Sequence, residues 1–149
     1  MNFEQLGVIP TILTAIEKQG YTQATPIQEK SIPIVLNRSD LIGCAQTGTG
    51  KTAAFSIPIL QLLYESPERK KHGKIRSLIV TPTRELAIQI GESIKLYGQG
   101  LNIRHAVIFW WCITTQSSQS IKISCRYSYR YTWTLIRSYS TRIREVERS

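Results

Sequence analysis

Ala45-Gln46-Thr47-Gly48-Thr49-Gly50-Lys51-Thr52 is the stretch on which the reading of this chain turns. It follows a short apolar run, Leu41 to Ala45, that reads as a buried strand. It precedes Lys51 to Tyr64, which reads as a helix bent midway by Pro58. A loop of small residues between a strand and a helix is the context a phosphate cradle needs. Gly48 and Gly50 let backbone N–H groups close around phosphate oxygens, and the helix N-terminus adds positive potential. Lys51 can reach β- and γ-phosphates, and the Thr52 hydroxyl can ligate Mg²⁺. Ala45 stands where the generic pattern has its first glycine. The competing reading is a chance turn of glycine and threonine.

Working outward, Ile9 to Gln19 reads as a short helix with Ile12, Leu13 and Ile16 on one face and Gly20 as its stop. Thr25-Pro26 supplies a cap and a first-turn proline for a second helix carrying Ile27, Gln28 and Ile32. Asn37 to Asp40 is a turn. Downstream, Ser66 to Lys74 is a charged surface loop and Ser77 to Thr81 a second buried strand. Thr83 to Tyr97 is a helix and Arg104 to Phe109 a third strand. Strands alternating with helices predict an α/β fold, with a parallel sheet flanked by helices.

Gly20-Tyr21-Thr22-Gln23-Ala24-Thr25-Pro26-Ile27-Gln28 resembles the Q motif of DEAD-box ATP-dependent RNA helicases, with Phe3 as its upstream aromatic. The phosphate loop has that family's wording, and Pro82-Thr83-Arg84-Glu85-Leu86-Ala87 matches its motif Ia. Order and spacing agree as well. The wording is nearest the bacterial RhlE-type subgroup, and the resemblance runs from residue 3 to about 109. It implies a partial RecA-like (P-loop NTPase) domain, incomplete at its C-terminal side, with ATP and Mg²⁺ as cofactors. Phe3, Tyr21, Gln28 and Ala45 to Thr52 would hold the nucleotide, with Lys51 and Thr52 closest to the chemistry. Pro82, Thr83 and Arg84 would touch the RNA sugar–phosphate backbone, a contact that cannot read base sequence.

Gln28 has a physical reason to select adenine. Its amide oxygen can accept from the N6 amino group while its NH₂ donates to N7. Guanine carries an acceptor in place of that amino group. Tyr21 or Phe3 could cover the purine face. Outside this context, Gln28 would read as a solvated side chain and Arg84 as a salt-bridge partner of Glu85 or Glu92.

Composition restricts the remaining classes. The chain of 149 residues suits one domain, and its 42% hydrophobic content is that of a globular protein. No apolar run approaches the roughly 20 residues a membrane span needs. No secretory leader opens the chain, so the cytoplasm is the expected location. Cys44, Cys112 and Cys125 form no Cys-x-x-Cys pair, which argues against zinc or a disulfide framework. Cys44 is expected to pack as a small hydrophobe. His72 and His105 lack partners at metal spacing.

The family's hydrolysis step needs Asp-Glu-Ala-Asp, whose first aspartate helps hold Mg²⁺ and whose glutamate positions water. Here the single aspartate is Asp40, and the acids after Arg84 are Glu85, Glu92, Glu145 and Glu147. The chain is therefore expected to bind nucleotide weakly at best, without coupling it to RNA unwinding.

Residues 110–149 differ in character. They contain no Gly, Ala, Pro, Asp or Asn, but all three tryptophans and four of the seven tyrosines. They also carry 7 basic and 2 acidic residues, more than half of the net charge of +9. Two readings stand. Tyr127, Tyr129, Tyr131, Trp133 and Leu135 alternate with Arg126, Ser128, Arg130, Thr132 and Thr134. Such a strand could stack single-stranded RNA, making the chain a non-catalytic nucleotide- and RNA-binding module. Alternatively, the tail is out-of-frame translation. In the family, "AVIF" is followed by text like "GGV" and later "VDILVATPGRLLDL". Dropping the first base of Trp110 turns Trp110-Trp111-Cys112 into Gly-Gly and then Val or Ala. The same shift permits VDILIATPGRLLDLIQQ from Cys125 to Thr141. On this reading residues 1–109 are the family's portion and 110–149 a frameshifted, non-functional tail.

Overall fold

A computed structural model of the chain describes residues 1–66 and 75–108, together with the backbone of two further strands, residues 113–114 and 132–138. The elements are α1 (Pro10–Glu17), α2 (Pro26–Leu36), α3 (Lys51–Glu65), β1 (Ile75–Thr81), α4 (Arg84–Tyr97), β2 (Ile103–Ile108), β3 (Ile113–Thr114) and β4 (Thr132–Ser138). The loop predicted from Ser66 to Lys74, with His72, lies outside the described residues beyond its first position. So do the side chains of the tail.

Each helix starts where its sequence says it should. α1 and α2 open on prolines, whose fixed φ suits the first turn and whose missing N–H is not needed there. Thr83 caps α4, its hydroxyl accepting from the Leu86 N–H at 3.3 Å. α3 runs unbroken through Pro58, which is fully buried.

The core is largely a helix-to-helix contact. Ile12 and Ile16 of α1, Ile32 of α2, Ile57 and Leu60 of α3, and Ile90 and Ile94 of α4 meet Phe3, Tyr97 and Leu101. Gly91 lets α4 approach β2, since a Cβ there would stand 2.5 Å from the Val107 methyl. Ile79 of β1 and Ile103 of β2 lean on the same cluster. Leu78 and Val80, alternating with Ile79, point away and are exposed. Among the described residues, nothing covers that face of β1 at Leu78 and Val80.

The sheet order is β1-β4-β2-β3. β4 runs antiparallel to both β1 and β2, so β1 and β2 are parallel to each other with a reversed strand between them. β3 pairs antiparallel with the end of β2, as a short connection requires. The α/β layering follows the sequence reading. The wholly parallel sheet does not, because the strand between β1 and β2 comes from the tail and enters in the opposite sense.

A second correction concerns Leu41 to Ala45. The segment forms no strand, and Ile42 is 100% exposed. Cys44 is likewise exposed rather than packed. An apolar run becomes a buried strand only when neighbouring strands pair with it. Among the described residues none does.

Candidate nucleotide and RNA site

Two glycines shape the phosphate loop. Gly48 and Gly50 sit at φ 82° and 85°, in the left-handed region that glycine enters without strain. Gly50 is the N-cap residue of α3, and no side chain caps that end. The first-turn N–H groups of α3 therefore point into the loop. Thr49 donates its hydroxyl to the Gln46 carbonyl at 2.8 Å, closing the loop on itself. Lys51 arches back, its ammonium donating to the carbonyls of Ala45 and Gln46. Thr47 is exposed beside Gly48, and Thr52 is half-buried one residue into α3.

The start of α2 is bonded to this loop. Gln28 is 0% exposed. Its Oε1 accepts from the Thr25 N–H at 3.0 Å, and its Nε2 donates to the Gly50 carbonyl at 3.2 Å. Thr25 donates its hydroxyl to the Thr49 carbonyl at 2.9 Å. Residues more than twenty positions apart thus share one polar network. The Thr25 bond is a contribution that the sequence reading, which treated Thr25 as a helix cap, did not anticipate.

The two aromatic candidates separate. Phe3 is buried in the hydrophobic core. Tyr21 is half-buried and meets Tyr97 edge to face, with ring centroids 6.1 Å apart at 81°. The Tyr97 hydroxyl donates to that of Tyr21 at 3.4 Å. Burial, and then this bond, raise the pKa of Tyr97 above the ordinary tyrosine range. In the sequence Tyr97 only closes a helix, and nothing in its local sequence marks it.

A second cluster forms where β1 passes into α4. Pro82, Thr83 and Arg84 are exposed there. Thr81 donates its hydroxyl to the Thr83 carbonyl at 3.0 Å, fixing the turn. Arg84 is the first residue of α4, so a guanidinium and a helix N-terminus share one surface. Together they suit phosphate oxygens.

The sequence profile of the DEAD/DEAH box helicase family matches residues 25–130. The chain is 50% identical over 107 residues to an ATP-dependent rRNA helicase, rrp3, of Aspergillus fumigatus, a match covering 72% of this chain and 22% of that protein. It is 43% identical over 123 residues to the ATP-dependent RNA helicase CshA of Limosilactobacillus reuteri, covering 82% of this chain and 24% of that one. Among solved structures, S. cerevisiae Dbp5 bound to RNA and ADP BeF3 superposes with a TM-score of 0.58 at 34% identity. That match covers 66% of this chain and 24% of Dbp5. The chain thus spans less than a quarter of the length of these relatives.

Proposed function

The chain belongs to the DEAD/DEAH box helicase family, and from that premise we propose that residues 1–109 form the nucleotide-binding start of the first motor domain of an ATP-dependent RNA helicase. The network joining Thr25 and Gln28 to Thr49 and Gly50 carries the reading, because it builds one site from two separate motifs. The residues present fit ATP and Mg²⁺. The uncapped start of α3 offers N–H donors to phosphates, and Lys51 already lies across the loop. Thr52 would hold Mg²⁺, which neutralises phosphate charge when bound. Gln28, fully buried and bonded to Thr25 and Gly50 here, would read adenine by turning its amide out of those bonds. Tyr21 would cover the base, Phe3 would support the site from the core, and Pro82, Thr83 and Arg84 would hold an RNA backbone without reading its bases.

ATP-driven RNA unwinding belongs, on this proposal, to the whole protein. The present chain carries no Asp-Glu-Ala-Asp and would show no RNA-stimulated turnover. No helix among the described residues is long and apolar enough to cross a membrane, and the cytoplasm is the proposed location. The RhlE-type subgroup rests on motif wording alone; the relatives described above carry other names. Titration of the chain with Mg²⁺-ADP tests the site. Saturable binding that Lys51→Ala removes supports it, and absence of binding overturns it.

We also infer that residues 110–149 are translated out of frame. The abrupt change of composition, the codons of Trp110 and Trp111, and the reversed β4 support this. The family match itself extends to residue 130, so the boundary at Phe109 rests on composition and codons. The second reading, an RNA-stacking tail, draws only on the overlap of β4 with the alternating segment at residues 132–135; Tyr127, Tyr129 and Tyr131 lie outside the described residues.

A further inference from the structure

We propose that Tyr97 is a positioning residue for the nucleotide base, holding the ring of Tyr21 in place and making α4 a strut between the adenine and RNA contacts. This rests on the reading that Tyr21 covers the adenine.

Tyr21 stands in a segment with few backbone bonds, its ring leaning on the hydrophobic core. Gly20 before it takes φ 81°, and Tyr21 itself is tied by one backbone bond, its N–H donating to the Ile16 carbonyl at 3.1 Å. Its ring orientation is therefore set by side-chain contacts. The aromatic and polar contact is Tyr97, which meets the ring edge to face and donates to its hydroxyl. Tyr97 is well placed to act as the fixed partner. It is 5% exposed and packed in the core at the last turn of α4, whose cap Gly98 returns its N–H to the Ile94 carbonyl at 2.9 Å. A buried tyrosine hydroxyl needs an acceptor, and Tyr21 supplies it. The other end of the same helix begins at Thr83 and Arg84. One rigid element thus carries the phosphate-facing turn at its N-terminus and the partner of the base-covering ring at its C-terminus.

The test separates base from phosphate. The full chain and its Tyr97→Phe variant are titrated by calorimetry with ADP and with inorganic pyrophosphate, both with Mg²⁺. An aromatic pair and its hydroxyl bond contribute modestly, so ADP affinity should fall roughly threefold to tenfold in Tyr97→Phe. Pyrophosphate affinity should not change. Equal loss for both ligands would mark a structural role, and no loss for ADP would mark no role; either overturns the proposal. Tyr21→Phe, which removes the acceptor and leaves the core residue intact, should reproduce the ADP-selective loss, and it carries the test if Tyr97→Phe does not fold. Tyr21→Ala separates the two levels. If it leaves ADP binding unchanged, the adenine-covering reading fails and this inference with it. If it weakens ADP while both Phe variants do not, only the inference fails.

Discussion

The Gln28 side chain donates to the Gly50 carbonyl at 3.2 Å, and a Cβ placed on Gly50 would stand 2.3 Å from that same nitrogen. The bond and the missing side chain are two aspects of one contact. Gly50→Ala should therefore do more than strain the loop. The left-handed backbone alone costs about 1–2 kcal/mol for a residue with a Cβ. The collision must also displace the Gln28 amide nitrogen from the Gly50 carbonyl. We expect a lower melting temperature by circular dichroism together with lost ADP binding. Gln28→Ala in the same chain should recover part of the stability, because it removes the collision. No recovery would show that the two residues are not coupled.

Base selection is a separate outcome. ADP should bind more tightly than GDP, and Lys51→Ala should abolish binding of both, since on the proposed reading Lys51 serves the phosphates that the two nucleotides share. Gln28→Ala is a less clean probe than its motif suggests. It removes the partners of the Thr25 N–H and the Gly50 carbonyl, both partly buried, at a cost near the low end of the about 1–3 kcal/mol that a fully buried orphan carries. Base preference should therefore be read as the ADP-to-GDP ratio in each variant, with thermal stability measured alongside. Equal calorimetric affinity for the two nucleotides in the unaltered chain would remove adenine recognition from the site.

His105 gives a pH dependence. Burial, and then the nearby Lys95 ammonium, lower its pKa below the ordinary 6.5. The folded chain therefore binds this proton less readily than the unfolded chain. The stability involved is fully present above the unfolded pKa and is lost as pH falls below 6.5 through the lowered folded value. His105→Gln should flatten that part of the profile. Denaturation midpoints measured at intervals from neutral pH downward check it; an unchanged slope in the variant would assign the effect elsewhere.

Exposed apolar groups predict the behaviour of the purified chain. Leu41, Ile42, Ile75, Leu78 and Val80 are all exposed. A bare strand face with apolar side chains favours association. Sedimentation should show self-association, or thermal denaturation a loose, non-cooperative melt. Ile42→Lys with Val80→Lys should shift the distribution toward monomer. A soluble monomer with a sharp melt would show instead that the tail completes a fold.

Local chemistry was legible in the sequence, and remote pairing was not. The caps of α2 and α4 and the positive φ of Gly50 follow from residue types and spacing within a few positions. Gln28 was singled out for adenine, but its bond to Gly50 depends on how α2 meets α3, which no local pattern encodes. The strand expected from Leu41 to Ala45 failed for the same reason. Its apolar residues satisfy the pattern of a buried strand, yet burial is supplied by neighbours. Tyr97 is silent in sequence because its partner lies 76 positions away.

In the gene, the codons of Ile108, Phe109 and Trp110 adjoin. These codons are ATH, TTY and TGG. If Ile and Phe use T in their third positions, the DNA reads ATTTTTTGG, an unbroken thymine run on which replication and sequencing both slip. Removing one T leaves ATT TTT GGT GGT, which encodes Ile-Phe-Gly-Gly. The same offset permits VDILIATPGRLLDLIQQ from Cys125 to Thr141, with the glycine from Trp133 forced by its single codon. The structure adds a consequence. Restoring the frame would replace β4, whose antiparallel entry between β1 and β2 breaks the parallel arrangement expected of those strands. It would also supply further chain able to pair with Leu41 to Ala45. We therefore expect the offset frame to stay open through Asp-Glu-Ala-Asp and a second RecA-like domain. The restored protein should hydrolyse ATP faster with RNA present, and the present chain should not. Resequencing the locus decides the matter: early stop codons in the offset frame, or no helicase motifs downstream, would return the tail to consideration as a strand that stacks single-stranded RNA.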